Sequence, residues 1–125
     1  MSDSRKISID YIDAVGHHEF DRVEALLDPN VEFEMAGRQI TGAAAYVSSL
    51  RKLAPIIVRN EIRSTVADGD EVAIFYDFVT DTPVGAVPSA EWLKVEAGKI
   101  RRIRLVFHSL QWPQVQEELK RRPAA

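Results

Sequence analysis

The apolar residues of this chain change period once, from helical spacing in the first third to strict alternation later, and that change limits the folds open to it. Ile7, Tyr11, Ala14, Val15 and His18 share one face of a helix expected to start at Ser4 as N-cap and to run to about Gly16. A second helix is predicted from Glu19 to Leu27, burying Phe20, Val23, Leu26 and Leu27. Asp28-Pro29-Asn30 stops it, because the residue before a proline disfavours helical backbone. Val31–Met35 alternates as a half-buried strand does, and Gly37 marks a turn into a short strand, Arg38–Thr41. After Gly42, a third helix over Ala43–Ala54 carries Tyr46, Val47, Leu50 and Leu53 on one face, and Pro55 ends it.

Four strands follow. Ile57–Ala67 turns through Asp68-Gly69-Asp70 into Glu71–Thr80, and a loop with Pro83 and Gly85 leads to Pro88–Val95. Glu96-Ala97-Gly98-Lys99 then turns into Ile100–Leu110. Tight turns between long strands predict an antiparallel meander. Pro113–Lys120 closes as a short helix burying Trp112, Val115 and Leu119, and Arg121–Ala125 is expected to fray. The expected fold is α+β, a cone-shaped curved antiparallel sheet with helices on its concave face. A length of 125 residues suits a single domain over residues 1–125, and 46% apolar residues can fill its core.

Composition mainly excludes. A net charge of −3 argues against general nucleic-acid binding, which needs a strongly basic field. The absence of cysteine removes disulfides, thiolate zinc sites and cysteine nucleophiles, and leaves the redox compartment open. The polar start lacks a secretory h-region, and no apolar run approaches the ~18 residues of a membrane span. A cytoplasmic location is expected, with no membrane partner.

Alternation nominates the candidate site residues. Glu91 shares a strand face with Leu93 and Val95, while Trp92 takes the other face with Ala90 and Lys94. Either Trp92 marks the buried face and Glu91 is solvated, or Glu91 is a carboxyl set among aliphatic residues. Such a carboxyl must be paired or protonated. Glu34 shares a face with Glu32, either toward solvent or into a pocket between helices and sheet. Tyr11 lies on the buried face of the first helix, where its hydroxyl needs a partner. Asp77 alternates with Phe75 and Val79 on a strand with apolar residues on both faces, which predicts burial on both sides. Asn60 is placed to make a structural hydrogen bond or to line an interior. His108 falls with Arg102 and Arg104, and His17 and His18 sit at a helix end, so all three are expected at the surface. Trp92, Val106 and Tyr76 are candidates for a two-fold interface, making a homodimer the expected assembly.

There is no Gly-rich phosphate loop, no pair of histidines with metal-ligand spacing and no nucleophile elbow. No metal or organic cofactor is implied. Carboxyls and a tyrosine on an apolar interior suit proton transfer on a small hydrophobic molecule.

Tyr11-Ile12-Asp13-Ala14, Phe20 to Leu27, Asn30-Val31-Glu32-Phe33 and the hairpin Ala90 to Ile100 carry a family resemblance. Over about Ile7 to Trp112 the chain resembles the nuclear transport factor 2-like superfamily, and within it the ketosteroid isomerase-like and SnoaL-like (polyketide cyclase) branch. The resemblance implies a tyrosine and a protonated acid as an oxyanion hole, which fall on Tyr11 and Glu91. It implies a carboxylate base on or beside Glu34. This chain departs from the pattern in having glutamates at both acid positions. The resemblance to polyketide cyclases points to Asp77 and His108. Limonene epoxide hydrolase, of similar fold, would need an arginine and a second aspartate where Phe75 and Leu105 stand. The expected function is therefore an isomerase or cyclase acting on an apolar carbonyl compound, with Tyr11, Glu34, Glu91 and Asp77 as candidate catalytic residues. The alternative is a noncatalytic ligand-binding or dimerisation domain of the same fold.

Overall fold

The helical faces read above become α1 (Ser4–Gly16), α2 (Phe20–Leu26) and α3 (Ala43–Leu53) in a computed structural model that describes residues 3–122. α1 turns Tyr11, Ile12, Ala14 and Val15 inward, and α3 turns Tyr46, Val47 and Leu50 inward. A short 3₁₀ turn, Ala54–Ile56, replaces the expected last residue of α3. β1 (Leu27–Met35) begins directly after α2, so Asp28-Pro29-Asn30 ends the helix by starting a strand. β2 (Arg38–Thr41) pairs back on it.

β3 (Ile57–Asp68), β4 (Glu71–Thr80), β5 (Ala86–Glu96) and β6 (Lys99–Phe107) form the expected antiparallel meander. The six strands make one sheet in the order β2-β1-β6-β5-β4-β3. The expectation of a purely antiparallel sheet is corrected at one join, because β1 runs parallel to β6. The chain returns from β1 to β6 only after the whole meander, so this pairing is long-range and leaves no local signal.

The register gives each face its own residues. One inward row reads Ile74, Glu91, Leu105 and Met35 across β4, β5, β6 and β1. An outward row reads Ala73, Trp92, Arg104 and Glu34 across the same strands. α1 lies against the inner face of the meander, and Ile12, Ile74, Leu93 and Ile103 there are fully buried. Each such side chain contributes about 1.5–3 kcal/mol. Gly16 makes the closest approach, since a β-carbon there would stand 2.6 Å from the Asn60 amide nitrogen of β3.

α4 (Trp112–Lys120) follows the sheet and buries Val115, with Trp112 packed against Phe78 and edge-on to Phe107. The expectation of fraying from Arg121 is corrected at Arg122. Its guanidinium donates to the Pro55 carbonyl at 3.2 Å, to the Asp81 carboxylate at 2.9 Å and to the Asp81 carbonyl. The rest of that tail, residues 123–125, and the first two residues lie outside the described range. Among the described residues, no helix is long and apolar enough to cross a membrane.

Candidate active site

Glu91 stands on the inner face of β5 with 5% of its surface exposed, because alternation through Leu93 and Val95 fixes its direction. The Tyr11 hydroxyl of α1 donates to its Oε1 at 3.0 Å, and the Tyr76 hydroxyl of β4 donates to its Oε2 at 2.5 Å. The Tyr46 hydroxyl of α3 is hydrogen-bonded to that of Tyr11. One carboxyl thus gathers three phenols from three elements. Burial pushes the Glu91 carboxyl up to about 7, against the lowering effect of the bonds from Tyr76 and Tyr11. Burial, and next the Glu91 charge, hold all three phenols well above the ordinary tyrosine value, so they stay protonated donors.

These groups open on a cavity of about 600 Å³. Phe33, Ile40, Leu50, Phe78, Leu105 and Trp112 supply apolar wall, and Glu91 is the one carboxylate among the lining residues. Asn60 also lines it; its Nδ2 donates to the Ile12 carbonyl at 3.0 Å, the structural bond considered for it, while its buried Oδ1 has no partner among the described residues. Among the described residues, no three His, Asp or Glu side chains gather as a metal site.

Tyr11 and Glu91 therefore meet, as the family resemblance implied. Glu34 does not join them, and the Tyr11–Glu34–Glu91 arrangement is corrected. Glu34 points outward from β1 with a side chain 43% exposed, and Arg104 of β6 holds it at 3.0 Å. The expectation that Asp77 is buried on a doubly covered strand is also corrected. The outer face of β4 is uncovered, with Phe75 46% exposed, and Asp77 there accepts from Arg63 at 2.7 and 2.9 Å. His108 is exposed beyond the end of β6. His17 caps α1 through the Asp13 carbonyl at 2.7 Å, and exposed His18 reaches the Ile57 carbonyl at 2.8 Å. Trp92 and Val106 lie on the outer face, but Tyr76 is buried in the cavity wall and leaves the proposed interface.

Tyr46 and Tyr76 are the polar members that residue-by-residue reading left out. Both stood in plain view on apolar faces, Tyr46 with Val47 and Leu50, Tyr76 with Ile74 and Phe78. The signal was available, since three buried phenols imply a shared acceptor.

A SnoaL-like domain model matches residues 9–103. The chain belongs to the SnoaL-like domain family. No curated protein matches this SnoaL-like domain. Among solved structures, a protein from Kribbella flavida is 23% identical, covers 97% of this chain and 100% of its own, and superposes with a TM-score of 0.84. A candidate ketosteroid isomerase from the same organism is 21% identical over 84% of this chain and 77% of its own, at a TM-score of 0.76. A candidate SnoaL-like polyketide cyclase from Shewanella putrefaciens is 15% identical over 98% and 88%, at 0.76. At these identities the likeness shows that the SnoaL-like domain has their α+β fold.

Proposed function

We propose that this SnoaL-like domain is an isomerase or cyclase that moves a proton on a small apolar carbonyl compound. Glu91 is the residue that carries the proton. The observation behind this reading is the Glu91 carboxyl itself, buried against three phenols on the wall of an apolar cavity. A base balanced near neutral pH is suited to take a proton and return it.

In the first step the Glu91 carboxylate takes a proton from carbon beside the carbonyl. The C–H electron pair becomes the enolate, and Glu91 becomes neutral. A neutral carboxyl accepts more weakly, so the Tyr11 and Tyr76 hydroxyls are freed to donate to the enolate oxygen. Returning the proton to a different carbon completes an isomerisation. Attack of the enolate carbon on a second carbonyl of the same molecule, with the proton passed to the new alkoxide, completes a cyclisation.

The test is hydrogen–deuterium exchange at carbons beside the carbonyl in a panel of β,γ-unsaturated ketones and diketones. Exchange should rise with pH through about 7, as Glu91 ionises. Glu91→Gln should lose about a hundredfold or more, while Glu34→Gln exchanges normally. A Glu91→Gln protein that exchanges like the parent overturns the assignment.

A second observation supports a homodimer. Phe75, Ala90 and Val106 form one row across β4, β5 and β6 on the outer face, beside Trp92. Trp92 is 52% exposed and Val106 63% exposed. We propose that this face meets a second copy.

A further inference from the structure

The mouth of the cavity carries charge that its interior does not answer. Arg38 extends the inward row of Glu91, Leu105 and Met35 onto edge strand β2, where it pairs with Met35. Lys52 sits near the end of α3, between the wall residues Leu50 and Leu53. Both are exposed and both line the cavity. Most arginines of this chain are engaged by a carboxylate or a carbonyl, including Arg22, Arg51, Arg59, Arg63, Arg101 and Arg104. Arg38 and Lys52 have no acidic partner among the described residues. The single acid of the lining, Glu91, is already held by phenols at the far end. Two cations without counter-charge on the lining of a largely apolar cavity give it a positive rim.

We infer that the ligand is an amphipathic organic anion: a carbonyl end reaching Glu91 and Tyr11, an apolar body, and a carboxylate held at the rim by Arg38 and Lys52. The inference rests on the proposed carbonyl chemistry and adds the class of substrate. Scale supports it. Arg38 and Glu91 are three strand spacings apart, about 14 Å between backbones along the sheet. Both side chains are long enough to take up part of that distance. A body of two fused rings with a short acidic chain fits what remains. An arginine at that end suits a planar carboxylate, which it can hold by two parallel bonds.

The test uses an acetylnaphthalene with a propanoate chain on the far ring, alongside its methyl ester. Binding is followed by the ligand's fluorescence. The acid should bind about tenfold or more tightly than the ester in low salt, and added salt should erode that preference. Arg38→Gln and Lys52→Gln should each weaken the acid about three- to fivefold and leave the ester unchanged, and the double variant should abolish the preference. Equal binding of acid and ester, or a preference that survives in the double variant, overturns the inference. So does failure of both probes to bind a folded protein.

Deuterium exchange at the acetyl methyl of the same two probes separates this inference from the reading it rests on. Glu91-dependent exchange without an acid preference sinks the substrate class and leaves the proton-transfer reading standing. An acid preference without Glu91-dependent exchange does the reverse.

Discussion

Between pH 4.5 and about 7 the Glu91 carboxyl keeps in the folded chain a proton that it loses in the unfolded one. Below that window the group is neutral in both states and costs nothing. Within it the unfolded state binds fewer protons, so stability falls as pH rises, and above about 7 the loss is complete. At about 1.4 kcal/mol for each tenfold change in ionisation, the loss is on the order of 3 kcal/mol. Glu91→Gln removes the titration and keeps the shape. Urea unfolding across this range should show the parent losing stability relative to the variant with rising pH, and the two running parallel above about 7. A constant difference throughout would mean that Glu91 is not a titrating buried group. Parity put Tyr11 on the buried helix face and set Glu91 with Leu93 and Val95, and the family resemblance then joined the two. Parity failed for Glu34 and Asp77, since it says which residues share a face and not which face is covered. Glu34 and Asp77 face outward, beside Arg104 and Arg63 on neighbouring strands. Those partners depend on register, which a single strand does not reveal.

At the scale of elements, the periods and breakers were enough to find every helix and strand to within a few residues. Pattern could not supply the parallel join of β1 to β6, or the bulge near the start of β3. The register of β3 against β4 shifts between Ile57 and Arg59, which turns Val58 outward although it alternates with Asn60. The same strand receives α1 at Gly16. An alanine there would place its β-carbon 2.6 Å from the backbone nitrogen of Asn60, which no rotamer change can relieve. Gly16→Ala should therefore push α1 off β3 at a cost of about 1–3 kcal/mol, despite alanine's better helix propensity. Because α1 also carries Tyr11, the variant should lengthen the bond to Glu91 and shift the pH midpoint of any exchange activity. An alanine variant as stable as the parent in urea would show that the helix has room to spare.

The whole molecule divides two tasks between the faces of one sheet. The inner face, with α1 and α3, encloses the cavity and its phenols. The outer face, where Phe75, Trp92 and Val106 are exposed, shows two kinds of surface. Toward β1 and β2 it is charged, with Glu32, Glu34, Arg102 and Arg104 around a second pocket of about 440 Å³. Toward β4, β5 and β6 it is apolar, where Phe75, Ala90 and Val106 form a row and Trp92 stacks under Arg104. A stable pair buries about 800 Å² per partner, roughly a ninth of the 7036 Å² exposed here. The apolar part of this face supplies the centre of such a patch and the charged part its rim. A two-fold axis through the face would set Trp92 and Val106 against their own copies. The protein should then sediment as a dimer at tens of micromolar. Trp92→Glu with Val106→Glu would bury like charges across the axis and should yield monomers of unchanged fold. Ligand binding in the cavity should survive that change, because the substituted side chains point away from it. A parent protein that sediments as a monomer would remove the dimer and leave the cavity reading untouched.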